Sequence, residues 1–139
     1  MVRMRTNIQM KQKADNKIIY PELSYKIVGL LFEVHNKIGG GHKEKYIQNA
    51  IESSLIANDL SYKRELSCPL IFNGKEIGRY FVDFLVENKI VLEIKVGERF
   101  KKEYINQVFS YLKTNNLKLG IIANFTREKL RFRRVLNIR

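Results

Sequence analysis

Cysteine is almost missing from this 139-residue chain: Cys68 stands alone, so neither an intramolecular disulfide nor a cysteine-rich zinc site can form. A semi-buried free thiol in a reducing compartment is the expected state of that side chain. Acidic residues are also scarce. There are 14 Asp and Glu against 26 Lys and Arg, a formal charge of +12 at pH 7. Long apolar runs are missing too. The longest near the start, Ile27 to Phe32, falls far short of the ~20 residues a membrane-spanning helix needs. Met1 to Asp15 is polar and basic, with no apolar segment of the secretory kind. A soluble, cytoplasmic protein without a membrane partner is expected.

No internal repeat and no Pro/Gly/Ser-rich linker divides the chain. The expected organisation is a basic, flexible arm over 1–18 and a single domain over 19–139. With 45% hydrophobic and 11% aromatic residues there is enough apolar material for a core. The surplus of positive charge favours a polyanion, either nucleic acid or an anionic membrane surface. It is densest at the C-terminus, where Arg127, Lys129, Arg131, Arg133, Arg134 and Arg139 face Glu128 alone. Lys101, Lys102, Arg127, Lys129, Arg131, Arg133 and Arg134 are candidates for contact with a nucleic-acid backbone, which adds affinity without sequence information.

Apolar spacing orders the elements. After Pro21, Ile27, Leu31, Val34 and Ile38 recur at helical intervals until Gly39-Gly40-Gly41 stops the helix. Ile47, Ile51 and Leu55 mark a second helix over about Lys43–Asn58. Tyr62–Phe72, Lys75–Val86 and Ile90–Val96 are rich in β-branched and aromatic residues and read as strands, the first two joined by a hairpin at Asn73-Gly74. A third helix fits Lys101–Thr114. Leu117–Asn124 and Leu130–Leu136 read as further strands. The order α-α-β-β-β-α-β-β predicts an α/β fold with a mixed sheet flanked by helices.

Two acids break the apolar pattern. Asp83 lies within Tyr80–Val86, and Glu93 within Ile90–Val96. Ionised carboxylates in such surroundings cost several kcal/mol unless they are paired or metal-bound. A three-residue turn over Glu87-Asn88-Lys89 pairs Val86 with Ile90 and sets Asp83 opposite Glu93, with Cβ atoms roughly 5 Å apart. A two-residue turn would place the carboxylates on opposite faces. Carboxylates that close repel each other, and an octahedral Mg²⁺ taking one oxygen from each relieves the repulsion. Lys95, about 7 Å along the strand from Glu93, would stand beside the ion and stabilise charge on a phosphate. Such a set supports in-line hydrolysis of a phosphodiester. A buried ion pair, with Lys95 or an arginine neutralising both acids, is the plainer alternative.

Asp83, nine residues, then Glu93-Ile94-Lys95 resembles the signature of the PD-(D/E)XK nuclease superfamily. Gln107-Val108-Phe109-Ser110-Tyr111 is similar to the Gln-x-x-x-Tyr helix motif of its lambda-exonuclease and RecB-like branch. Gly39-Gly40-Gly41-His42-Lys43-Glu44, preceded by Phe32-Glu33-Val34-His35, resembles the small GxxExxY proteins of that superfamily. This chain carries Ile47 where the motif has its tyrosine, with Tyr46 one residue earlier.

The resemblance implies a restriction-endonuclease-like αβββαβ core, DNA as partner, and Mg²⁺ or Mn²⁺ as cofactor. It also implies a cut leaving 5′-phosphate and 3′-hydroxyl ends, and it makes homodimerisation an option. Glu44, Asp83 and Glu93 match metal ligands and Lys95 the catalytic lysine. Gln107 and Tyr111, one helical turn apart, would orient Lys95 or a phosphate. His35 reads as a metal neighbour or as a hydrogen-bonding residue, and Phe81, Phe84, Tyr104 and Phe109 read as core. Two rival functions stay open: a binding module on an inactivated nuclease scaffold, and a peripheral membrane protein, for which the chain offers no amphipathic anchor.

Overall fold

Pro21, with no N–H to leave unpaired, opens helix α1 (Pro21–Ile38), and Gly39 at φ +72° closes it. The structure is a computed structural model that describes residues 19–138, so the arm expected over 1–18 lies outside the described residues. Helix α2 (Glu44–Ala57) follows, then strands β1 (Tyr62–Phe72), β2 (Lys75–Val86) and β3 (Ile90–Val96). Helix α3 (Lys102–Asn115) precedes β4 (Leu119–Phe125) and β5 (Leu130–Leu136). The element order is the one the apolar spacing predicts, with ends shifted by a residue or two. No helix among the described residues is long and apolar enough to cross a membrane.

The strands form one sheet in chain order. Neighbours are antiparallel except β3 and β4, which run parallel because α3 crosses over between them. Alternation along the strands splits the interior into two cores. Phe84, Ile90, Leu92, Ile94, Ile121 and Phe125 meet α1 and α2 on one face. Val91, Ile122 and Val135 meet Val108, Tyr111 and Leu112 of α3 on the other, where the buried thiol of Cys68 also sits. Each fully buried large aliphatic or phenyl side chain contributes about 1.5–3 kcal/mol.

Turn chemistry sets the registers. Asn73 and Gly74 both have positive φ and form the hairpin corner. Glu87 and Asn88 are likewise left-handed, and the three-residue link over 87–89 pairs Val86 with Ile90, Leu85 with Val91 and Phe84 with Leu92. Beyond the last of these pairs, Asp83 and the Glu93–Ile94 segment meet through side-chain-to-backbone hydrogen bonds. Here the sheet also twists. Glu65 of β1 has φ +59° between the pairs Arg64–Phe84 and Leu66–Val82. Phe84 consequently faces the α1–α2 core while Val82, two residues away, faces the α3 core. Phe81 is therefore not core: the twist turns it outward and leaves it 58% exposed. Phe84 is fully buried as expected, and Tyr104 and Phe109 pack partly buried on the α3 side.

The glycine run does more than stop α1. A Cβ on Gly40 would overlap the Cα and carbonyl of Arg127, so the chain after α1 touches the β4–β5 turn directly. His35 supports the same junction: it is buried, its Nε2 lies 3.2 Å from the Thr126 carbonyl, and its ring packs on Phe125. The hydrogen-bonding reading of His35 is the one the structure realises. This junction fixes the start of α2. Gly40→Ala is expected to destabilise the fold by about 1–3 kcal/mol through overpacking. Gly29→Ala, inside α1 with open space around the new methyl, is expected to stabilise it by up to ~1 kcal/mol. Thermal melts of the two variants, moving in opposite directions, check the pair.

Candidate functional site

The β2–β3 ladder ends at Phe84–Leu92, and side chains take over where the strands part. Asp83 donates its backbone N–H to Glu93 Oε1 at 3.0 Å, and Ile94 donates its N–H to Asp83 Oδ2 at 2.7 Å. The two carboxylates thereby satisfy backbone donors that the lost ladder would strand. Lys95, two residues along β3, places Nζ 3.1 Å from Glu93 Oε2 and 4.6 Å from the centre of the Tyr104 ring. The ammonium is thus held by a charge on one side and by an aromatic face on the other.

Helix α2 brings the third acid. Glu44 opens the helix, where a carboxylate suits the positive end of the dipole. One turn later Gln48 donates through Nε2 to Glu44 Oε2 at 3.2 Å and to Asp83 Oδ1 at 3.0 Å. Its Oε1 accepts from Arg64 Nη2 at 3.4 Å. Glu44, Asp83, Glu93 and Lys95 therefore share one site at the edge of the α2 helix. Ile47, at the motif's tyrosine position, is fully buried in the α1–α2 core, while Tyr46 is exposed with Lys43 over its ring.

All three acids titrate high. Burial, and then the charge of Asp83, push Glu93 up to about 7 against the pull of Lys95. Burial also raises Asp83, although the Ile94 N–H, Lys95 and Gln48 oppose it. Burial and Asp83 raise Glu44. For Lys95, burial pulls downward but Glu93, Glu44 and Asp83 outweigh it, so the ammonium is held above its ordinary value. Lys95 is consequently charged at neutral pH.

The Gln-x-x-x-Tyr residues part company. Gln107 donates its side-chain N–H to the Phe81 carbonyl at 2.8 Å, fixing the backbone two residues before Asp83. Tyr111 is 4% exposed and packs in the α3 core with Cys68 and Val82, because the apolar face of α3 carries it under the sheet. Of the basic candidates, Lys101, Lys102, Arg127, Lys129, Arg131 and Arg133 are exposed. Arg131 also donates to the Glu98 carbonyl, and Arg133 stacks on Phe100. Arg134 differs, being partly buried with Nη1 out of reach of a partner; burial lowers its pKa.

Gln48, Arg64 and Tyr104 are site residues that the sequence reading missed. Gln48 carried a signal, since i,i+4 spacing from Glu44 puts both on one helix face. Tyr104 and Arg64 carried none, because their approach depends on how α3 and β1 pack.

The donor set suits a hard divalent cation. Each oxygen of Asp83 and Glu93 receives one hydrogen bond or ion pair, and a carboxylate oxygen has a second lone pair to offer. Among the described residues, no three carboxylate, imidazole or thiol groups close into a finished cage; Glu44 is joined to Asp83 through Gln48.

The raised acids set a pH dependence. In chelator, folded Glu93 keeps its proton to about pH 7, whereas the unfolded chain releases it near 4.5. The folded state then binds more protons across that window, so the Glu93 contribution to stability falls as pH rises through it. Urea midpoints from pH 5 to 8 are expected to show Glu93→Gln with a flatter profile than the parent, by as much as ~1.4 kcal/mol per pH unit. Equal slopes would contradict the assignment.

A profile of the PD-(D/E)XK nuclease superfamily matches residues 21–135. Among solved structures, the crystal structure of SSO0001 superposes with a TM-score of 0.53 at 22% identity, over 68% of this chain and 50% of that one. This chain thus spans about half of that protein's length, and the likeness shows the fold, an α/β restriction-endonuclease-like sheet flanked by helices. No curated protein matches the chain. With four-fifths of its length and the Asp83, Glu93 and Lys95 strands inside the matched region, the chain belongs to the PD-(D/E)XK nuclease superfamily.

Proposed function

We propose that this chain is a Mg²⁺- or Mn²⁺-dependent deoxyribonuclease of the GxxExxY group, within the lambda-exonuclease and RecB-like branch. It would hydrolyse DNA phosphodiesters to 5′-phosphate and 3′-hydroxyl ends in the cytoplasm. The observation that carries this reading is the convergence of Glu44, Asp83, Glu93 and Lys95 where β2 parts from β3. The superfamily supports a nucleic-acid substrate.

Asp83 and Glu93 would hold the ion directly, with Glu44 completing the set. Bound there, the ion would polarise the phosphate and lower the pKa of the attacking water. Lys95 carries its proton at neutral pH, so its role is electrostatic: the ammonium faces charge developing on the phosphate and does not take a proton. Tyr104 limits the rotamers of Lys95 from below. Gln107 acts through the Phe81 backbone, and Tyr111 supports the packing under β2. Lys101, Lys102, Arg127, Lys129, Arg131 and Arg133 would attract and register the DNA backbone, with Arg134 contributing from beneath the surface.

Purified protein is expected to degrade DNA in Mg²⁺ or Mn²⁺ and to stop on EDTA addition; cleavage of closed circles would mark an endonuclease, and loss of linear DNA alone an exonuclease. Lys95→Ala should lower kcat by about 10²–10³-fold, the loss typical of one electrostatic donor. Full activity in Lys95→Ala after repurification would sink the site. Salt-dependent DNA binding without cleavage in any divalent ion would favour a binding module instead.

A further inference from the structure

Among the described residues, Gln48 is the one uncharged side chain that hydrogen-bonds two of the three acids, and its amide has only one sensible orientation. Arg64 donates to the amide oxygen, and a guanidinium has no acceptor, so the oxygen must face it. Both amide protons are then left for Glu44 and Asp83. A flipped amide would set its carbonyl against two carboxylates. Arg64 is itself fixed. Its side chain is 16% exposed, its Nη1 pairs with Glu52 Oε1 at 2.7 Å, and its guanidinium lies over the Phe84 ring. Tyr62 donates its hydroxyl to the other Glu52 oxygen at 2.7 Å. The buried Nε of Arg64 goes without a partner, so the side chain is kept at some cost for what its two terminal nitrogens do.

We propose that Gln48 is a positioning residue that holds Glu44 and Asp83 at the spacing a divalent ion requires, with its amide oriented by the Tyr62–Glu52–Arg64 network. The role rests on the metal-dependent reading of the site. Gln48 touches neither substrate nor ion. Partners one step removed from metal ligands typically change affinity by about 10–100-fold when lost.

The test is Mn²⁺ titration of the full chain, by calorimetry and by Mn²⁺-induced thermal shift, beside cleavage assays over a range of Mn²⁺. Gln48→Met, of similar length but without hydrogen bonds, is expected to weaken Mn²⁺ binding at least ~10-fold. The apparent KM for Mn²⁺ should rise in parallel, while kcat at saturating Mn²⁺ changes far less. Gln48→Asn keeps the amide but falls one methylene short, and should show the same split if the Met variant folds poorly. Arg64→Met should give part of the loss, and the double variant Gln48→Met/Arg64→Met should be no worse than Gln48→Met alone. Unchanged Mn²⁺ affinity in both Gln48 variants overturns the role, as do losses at 48 and 64 that simply multiply. A parent chain that takes up no Mn²⁺ overturns the metal-dependent reading, and the role with it.

Discussion

The exchange of backbone acceptors for carboxylates at Asp83 and Glu93 is the constraint on which this molecule is arranged. Two strands that stayed paired would have no place for charged side chains between two apolar cores. By parting after Phe84–Leu92, β2 and β3 leave the Asp83 and Ile94 N–H groups without carbonyl partners, and each finds a carboxylate oxygen instead. Hydrogen bonds to an ionised acceptor are stronger than those between neutral groups, which offsets part of the desolvation cost. The acids are therefore part of the sheet's hydrogen-bond accounting as well as candidates for chemistry. Replacing either by alanine removes an acceptor from a buried N–H, whereas an amide of the same length still has an oxygen to offer.

Much follows from where the strands part. Glu65 in a left-handed conformation on β1 and the face change between Val82 and Phe84 mark the same bend. The bend leaves the carboxylates at the margin of the α1–α2 core, where Glu44 can approach from the start of α2. That start is set in turn by Gly40 against Arg127 and by His35 against Thr126. Two neighbouring contacts to the β4–β5 turn thus set where α2 starts, and the bend in the sheet sets where the carboxylates meet it. The alignment of Glu44 with Asp83 is a consequence of backbone contact, and Gln48 completes it.

The sequence made the elements legible because each depended on local information: period-2 and period-3.6 apolar spacing, Asn73-Gly74, and the run of three glycines. The register of β2 with β3 was legible only as a choice between two turn lengths, and the left-handed conformations of Glu87 and Asn88 decide it. What depended on packing stayed hidden. Phe81 looked like core because alternation assumes an untwisted strand. Tyr104 looked like core because nothing in the sequence says which face of α3 meets Lys95. Gln107 and Tyr111 are one turn apart, a spacing that suggests action on the same group, but Tyr111 belongs to the buried face of α3 and Gln107 does not. One accordingly meets a carbonyl of β2, and the other lies under the apolar face.

Charge works here at two ranges. The exposed Lys and Arg side chains act over about a Debye length, ~8 Å in physiological salt, and under the proposed function would draw a phosphate backbone toward the surface without choosing where it binds. At the site the sign reverses, with three acids whose burial resists ionisation. A lysine at position 48 would neutralise Glu44 and Asp83 outright, yet it could not accept from Arg64 and would face that guanidinium with a like charge. It would also answer permanently the electrostatic demand that the proposed ion would meet. A neutral amide accepts from Arg64, donates to both acids and adds no charge. In the proposed role it would hold their geometry without adding charge, and so would suit a divalent cation at that point in an otherwise cationic protein.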